Sequence, residues 1–322
     1  MSSNVSLDDI SFYPYDPSEA VAGVCLALFG ITLFWSTVLT IQKRSWVWTV
    51  QLFAILMEVV GYAVRIASAG SPTDLNLYAI QFCVIILAPV LMAGAIYVVF
   101  GRIVFHVVPA HERTTRLLWI PPRWITPIFV TFDVISLLVQ LVGAVSVSST
   151  QVTDEDAEKK MNTGKNVALV GLAIQIAAFG LFTVIAARFH FTSQRFETSL
   201  LSRLETIDGG KSVLVRGVSR KINPNWRRLL YAVNVSCALI LIRSVFRVVE
   251  FTEGSNGPVS RHEYFMYVLD TLPVFLVVCS FCFFFPGSYL PFMGCRVPRQ
   301  PVGMGEASSE EGSVVELRRI QN

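Results

Sequence analysis

A chain of 322 residues with 53% hydrophobic and only 15% charged positions lies far from the roughly 25% charged composition of soluble domains. That much apolar surface cannot be hidden from water, which excludes a soluble globular fold and, with it, a nucleic-acid partner. The net charge of +3 says little as a total, but its distribution along the chain is informative.

The N-terminal tail, residues 1–19, carries Asp8, Asp9, Asp16 and Glu19 and no base. Its Asn4-Val5-Ser6 string is an N-glycosylation sequon, which makes Asn4 a candidate acceptor on a non-cytosolic side. Seven apolar stretches follow, at 20–41, 46–67, 77–100, 125–147, 167–187, 229–249 and 264–285. Each meets the ~20 residues a helix needs to cross the hydrocarbon core. The expected architecture is therefore all-α: a polytopic membrane protein with a seven-transmembrane-helix bundle over residues 20–286. Residues 287–322 form a C-terminal tail expected to be disordered. The longest connector, 188–228, is basic and Ser-rich with few apolar clusters, and reads as a solvated, mobile segment without a domain of its own.

Of the 26 Lys and Arg residues, 19 fall in the connectors after the first, third and fifth spans and in the C-terminal tail, among them Lys43, Arg44, Arg113, Arg116, Arg220, Lys221, Arg227 and Arg228. Four (Lys159, Lys160, Lys165 and Arg261) fall in the even-numbered connectors, and three lie inside spans. The positive-inside rule then places the N-terminus outside and the C-terminus in the cytosol. Without a basic segment ahead of the first apolar run, that first span acts as the insertion signal. Trp46, Trp48, Trp119, Trp124 and Trp226 all fall at the cytosolic boundary, where amphipathic rings prefer to sit. Cys25, Cys83, Cys237, Cys279 and Cys282 lie within spans, so no extracellular disulfide is expected, and Cys295 follows the last span at a position open to palmitoylation.

Six ionisable residues stand inside the spans: Glu58, Arg65, Asp133, Arg243, Arg247 and Asp270. Each costs ~2.5–3.5 kcal/mol on insertion scales, so each marks a polar interior. Their spacing follows helical faces, since residues four or seven apart share one side. Glu58 and Arg65 are seven apart, as are Asp133 and Gln140. Arg243, Arg247 and Glu250 are spaced four and three, and Glu263 and Asp270 seven, with Tyr267 between them. Gln81 and Gln175 add amides able to join the same interior. A single buried ion pair would serve only to fix the bundle's register. This many groups on four faces instead predict one water-accessible cavity open toward the exterior, with Glu58 and Asp133 as its floor. Pro89, Pro127 and Pro273 each free a carbonyl that needs another partner.

The chain has no GxxxxGK[ST] loop, no HExxH, no paired histidines and no GxSxG. This argues against an ATP-driven pump, a metal or cofactor site, and an intramembrane protease. No enzymatic activity is expected, and no protein partner is indicated.

The strings YPYDPSEA (13–20), EVVGYAVR (58–65), QFCVIILAPVLMAGAIYVVFGRI (81–103), FDVISLLVQLVGA (132–144), GLAIQ (171–175), IRSVFRVVE (242–250) and HEYFMYVLD (262–270) resemble the fungal lipid-translocating exporter family, the RTA-like proteins. The resemblance runs collinearly from about residue 13 to 286. It carries over Glu58, Gly61, Tyr62 and Arg65 from the second span, and Gln81, Pro89, Tyr97 and Arg102 from the third. From later spans it carries Asp133, Gln140, Gln175, Arg243, Arg247, Glu250, Glu263 and Asp270. It implies a fungal plasma-membrane protein that moves sphingoid long-chain bases or similar amphiphiles toward the outer leaflet and confers resistance to toxic amphiphiles. The ammonium headgroup would pair with Glu58, Asp133 or Asp270. Two other readings stay open. Seven helices with an exterior N-terminus are also a receptor or sensor layout. Some members handle porphyrin or haem, for which His262 is the one histidine on the outer side.

Overall fold

The computed structural model describes residues 18–71, 74–108, 119–148, 157–193, 212–215, 218–221, 225–253, 257 and 262–290. The Asn4 sequon, Arg113, Arg116, Cys295 and the tail from 291 onward lie outside the described residues.

Helix α1 (Glu19–Lys43) starts at Ser18, whose hydroxyl accepts from the Val21 N–H at 3.5 Å. It stops at Arg44, which adopts a left-handed conformation with φ 50° and ties its N–H to the last turn. A 3₁₀ turn (Trp46–Trp48) leads into α2 (Thr49–Ala69). Asp74 caps α3 (Leu75–Val107), its carboxylate accepting from the Asn76 and Leu77 N–H groups. Helices α4 (Pro122–Ser148), α5 (Ala157–Thr192) and α6 (Trp226–Glu253) follow. The last span, α7, opens as a short α-helical turn (Glu263–Met266), passes through a π-helical turn (Tyr267–Thr271) and continues as Leu272–Phe283. A four-residue helix, α8 (Pro286–Tyr289), ends the described chain.

Among the described residues, seven helical spans are long and apolar enough to cross a membrane. α5 begins well before its apolar stretch, because Lys159, Lys160 and Lys165 extend its first turns. Inside the 188–228 connector, β1 (Ser212–Val215) pairs antiparallel with β2 (Val218–Lys221), Ser212 opposite Lys221 and Val215 opposite Val218. The connector therefore carries a local pair of strands. Serine-rich composition hides the alternating apolar residues Val213, Val215 and Val218.

Consecutive helices pack side by side, α3 also meets α4 and α6, and α1 meets α7 to close the ring. Two contacts fix which ends lie together. The Ser18 N–H donates to the Glu263 carboxylate at 3.1 and 3.3 Å, joining the starts of α1 and α7. Lys165 Nζ donates to the Thr252 carbonyl at 2.9 Å, joining the start of α5 to the end of α6. The face where α1, α5 and α7 start is called the near face below, and the opposite one the far face.

The polarity is inverted relative to a soluble bundle. Ile31, Phe34, Trp35, Phe191 and Phe283 point outward, with exposures from 56% to 83%, whereas Glu58, Arg65, Asp133, Arg247 and Asp270 are each under 5% exposed. Such a surface is stable only in lipid, where apolar side chains face acyl chains and polar groups must find partners inside.

An aromatic core fills the far half. Tyr97 and Phe100 on α3, Phe129 on α4, and Phe179, Phe182 and Phe189 on α5 form it through edge and tilted contacts at 4.6–6.1 Å. Trp48 and Trp226 belong to this core at 1% exposure, while Trp46, Trp119 and Trp124 are exposed. The five tryptophans do not form a single interfacial belt, because the 3₁₀ turn aims Trp48 inward against Phe281 and Phe285. A smaller cluster of Cys25, Phe29, Ala54, Ile55, Tyr62, Ile85, Met92, Val274 and Val278 joins α1, α2, α3 and α7.

Candidate functional site: an intramembrane charge cluster

Helix α2 turns Gln51, Ala54, Ile55, Glu58, Gly61, Tyr62, Arg65 and Ser68 to the interior. That face exists because its polar residues recur every seven positions. Gly61 lets α3 come close, since a Cβ there would meet Ile85 Cγ1 at 2.6 Å. At the near end of the face, Arg65 Nη2 donates to Glu263 Oε1 at 2.9 Å and Arg65 Nε donates to the Tyr267 hydroxyl at 3.3 Å. Tyr267 in turn donates to Glu263 Oε1 at 3.1 Å, which closes a triangle between α2 and α7.

Deeper in the bundle, α6 supplies two arginines to one carboxylate. Arg247 Nε donates to Asp270 Oδ1 at 2.9 Å and its Nη2 to Oδ2, a fork-on-fork contact. Arg247 Nη1 also donates to Glu250 Oε2 at 2.9 Å, and the guanidinium lies over the Phe82 ring at 5.7 Å. Arg243 Nε lies 2.8 Å from Asp270 Oδ1, a charge contact whose N–H is not aimed at the oxygen. Arg243 Nη2 instead donates to the Ile85 carbonyl at 3.3 Å. Pro89 has no N–H, so the Ile85 carbonyl loses its intrahelical donor. Arg243 supplies one from another helix.

The π-helical turn aims Asp270. Met266 and Thr271 belong to the same widened turn, where the Thr271 hydroxyl donates to the Met266 carbonyl at 3.4 Å. The Tyr62 and Thr271 hydroxyls share a 2.6 Å hydrogen bond that ties α2 to this turn. Pro273 sits just after it, and π-turns often accompany such breaks in a helix at sites of use.

Glu58 is the exception. It is 2% exposed and within electrostatic reach of Arg243, Asp270 and Arg247, yet among the described residues no hydrogen bond or ion pair joins it to a neighbour. Taken together, Arg65, Arg243 and Arg247 bring three positive charges, and Glu58, Glu250, Glu263 and Asp270 bring four acids. With all of them ionised, the cluster is one positive charge short.

On the far side of the arginines, Gln140 Nε2 donates to Gln175 Oε1 at 2.9 Å. This pairing depends on two glycines between α4 and α5. A Cβ on Gly143 would lie 2.6 Å from the Ala168 nitrogen, and one on Gly171 would lie 2.8 Å from the Ser136 carbonyl oxygen. The glutamines, Arg243, Ser244, Arg247 and Phe251 enclose a cleft of about 20 Å³, room for one water molecule. The charged residues thus converge as a packed network beside a water-sized cleft. Gln81 is buried on α3 one turn before Ile85.

Asp133 stands apart from that network. It is 3% exposed and faces the Tyr97 hydroxyl across the α3–α4 contact, but the two do not close to hydrogen-bonding geometry. It therefore does not form a common floor with Glu58. Its seven-residue offset from Gln140 places it about 10 Å deeper along α4, inside the aromatic core.

A family profile described as RTA1 like protein matches residues 51–293, a stretch that holds the whole charge cluster. The chain belongs to the RTA1-like family. Among its relatives in Saccharomyces cerevisiae, it is similar to Protein RTA1, with 34% identity over 73% of this chain and 64% of that protein. It is 33% identical to Protoporphyrin uptake protein 1 over 70% of this chain and 64% of that one. It is 25% identical to Sphingoid long-chain base transporter RSB1 over 86% of this chain and 73% of that one. The RTA1-like chain thus spans just under two thirds of the length of the first two. No solved structure matches it. As an RTA1-like protein with seven apolar spans, it is an integral membrane protein. Two interior residues of this RTA1-like bundle escape a search for intramembrane charges, Gln51 and Thr271. Gln51 nevertheless stands seven positions before Glu58, a spacing that points to it.

Proposed function

We propose that this RTA1-like protein sits in the plasma membrane and translocates a cationic amphiphile of the sphingoid long-chain base type toward the near face, the non-cytosolic side by the Lys and Arg distribution. The observation that carries the reading is Glu58, a buried acid that forms no ion pair among the described residues, in a cluster one positive charge short when every acid is ionised. An ammonium headgroup supplies that charge. The hydrocarbon tail remains in lipid between helices, so only the headgroup crosses the polar interior. Relatives named Sphingoid long-chain base transporter RSB1 and Probable lipid transporter atnI support the class of substrate. The role is binding and movement, without chemistry on the lipid.

The water-sized cleft means that α4, α5 and α6 separate before a headgroup passes. The π-turn and the prolines at 89 and 273 are where helices yield.

A second reading, porphyrin movement, draws on the relative named Protoporphyrin uptake protein 1. Three interior arginines suit porphyrin carboxylates, but two of them already share Asp270. The test is purified protein in liposomes, offered labelled sphingoid base, phospholipid and porphyrin in turn. Movement of the sphingoid base that is lost in Glu58→Gln, at unchanged protein incorporation, is the expected result. Full activity of Glu58→Gln would sink the role of Glu58. Movement of porphyrin alone would favour the second reading, and a receptor would move none of the three.

A further inference from the structure

The polar face of α2 does not end at Glu58. Gln51 lies two turns farther toward the far face, in the same seven-residue series as Glu58 and Arg65, and is 1% exposed. Neither its Nε2 nor its Oε1 has a hydrogen-bond partner among the described residues. Three and six positions earlier in the chain, Trp48 Nε1 and Ser45 Oγ are buried and likewise without a hydrogen-bond partner among the described residues, at 1% and 0% residue exposure. Phe281 and Phe285 are set edge-on to Trp48 at 5.2 and 6.0 Å. Gly287 packs against Ser45, where a Cβ would fall 2.1 Å from Ser45 Oγ. Buried polar atoms are almost always satisfied within a protein, and each one left without a partner costs ~1–3 kcal/mol. Four such atoms fall within seven residues of chain, 45–51, at the start of α2.

We infer that Gln51, with Trp48 and Ser45, forms a second headgroup station that takes the hydroxyl groups of an amino-alcohol amphiphile. This rests on the transport reading above and specifies its substrate. The chemistry selects the group. An ammonium only donates, so it leaves the Gln51 Nε2 and Trp48 Nε1 donors open. A phosphate or carboxylate only accepts, so it leaves Gln51 Oε1 open. A hydroxyl does both, and two neighbouring hydroxyls answer the amide from both sides. An amino-diol headgroup thus presents its hydroxyls at Gln51 near the far face and its ammonium at Glu58 in mid-bundle. Seven residues of helix, ~10 Å, separate the two stations, so they act in succession. The far-face groove of about 370 Å³ lined by Arg227, Arg228, Tyr231 and Phe284 opens at the same level of the bundle.

The test compares a labelled sphingoid base with a labelled long-chain amine that lacks hydroxyls, in liposomes containing wild type or Gln51→Leu. The wild type is expected to prefer the amino-diol by about ten-fold, the scale set by leaving one buried polar pair unmade. Gln51→Leu brings that ratio near one. An unchanged ratio in Gln51→Leu overturns the inference. A wild type that moves neither amine sinks the transport reading, and binding then decides Gln51 by itself. In detergent, the amino-diol is expected to raise the unfolding midpoint of wild type more than the simple amine does, and Gln51→Leu to abolish the difference. Equal shifts in wild type overturn the inference. The ligand-free midpoint adds a separate check: Gln51→Leu removes unsatisfied polar atoms and is expected to raise it, whereas a drop would assign Gln51 to structure alone.

Discussion

The carbonyl of Ile85, left without an intrahelical donor by Pro89, accepts a hydrogen bond from Arg243 Nη2 at 3.3 Å. A proline that weakens α3 therefore also builds the charge cluster, because the freed oxygen and Asp270 together hold one guanidinium from α6. Lysine has a single ammonium and cannot span both acceptors. Arg243→Lys is expected to lose ~1.5–3 kcal/mol in thermal or denaturant unfolding, the value of a hydrogen bond to a charged group. In a Pro89→Ala background, where Ile85 regains its own N–H partner, the same substitution should cost markedly less. Equal costs in both backgrounds would show that the carbonyl contributes nothing to holding Arg243.

Asp270 and Glu58 sit in one cluster but should respond oppositely to neutralisation. Asp270 holds Arg243 and Arg247, all three buried. Asp270→Asn takes the shared carboxylate from two guanidinium groups, leaving Arg247 with Glu250 and Arg243 with only the Ile85 carbonyl, and is expected to cost ~3–5 kcal/mol, read as a lower unfolding midpoint and poor membrane abundance. Glu58 has no ion pair to lose among the described residues, so Glu58→Gln should fold and accumulate like wild type. Collapse of Glu58→Gln to the level of Asp270→Asn would mean that Glu58 is a structural member of the network.

Most of this architecture is legible in the sequence, for a physical reason. Lipid demands long uninterrupted apolar runs, and a charge within one is too costly to be incidental, so Arg65, Arg243, Arg247 and Asp270 announce a polar interior. Helical period then groups Glu263, Tyr267 and Asp270, which the fold does bring to one side of α7. What stays hidden depends on which helix is the neighbour. Asp133 has the same residue type as Asp270 and is likewise buried, yet it faces Tyr97 and the aromatic core, because it lies two turns along α4 from Gln140, the residue of that helix that borders the arginines. Gln51 is missed for another reason. It is uncharged and near a span's end, where an amide looks harmless until burial leaves both of its polar atoms unanswered.

The α4–α5 seam offers a test of the packing that aligns Gln140 with Gln175. A Cβ on Gly143 would press on the Ala168 backbone nitrogen and the Gly164 carbonyl oxygen, 2.6 and 2.7 Å away. Backbone cannot rotate aside as a side chain can, so Gly143→Leu forces the helices apart. The expected cost is ~1–3 kcal/mol of overpacking, together with lost contact across the seam. Cysteine pairs placed on α4 and α5 should crosslink less readily in Gly143→Leu than in wild type. Unchanged crosslinking would mean that the close approach does not exist in the membrane.

Tyr97 and Asp133 give the last prediction, and its sign differs from that for Asp270. Both Asp133 oxygens and the Tyr97 hydroxyl are buried without a closed hydrogen bond, among Phe129, Phe179 and Phe182. Neutralising Asp133 strands no cation, and an amide is easier than a carboxylate to keep among aromatic rings. Asp133→Asn is therefore expected to hold or raise the unfolding midpoint. Tyr97→Phe, which removes an unanswered hydroxyl and keeps the ring contacts, should do the same. A double variant distinguishes two independent open groups from a coupled pair. Independent groups give additive shifts, whereas a pair that closes in the membrane shows a coupling of ~0.5 kcal/mol or more. A fall in the midpoint of Asp133→Asn comparable to that of Asp270→Asn would show that a cation reaches Asp133, and that its isolation from the arginines is not a property of the folded protein.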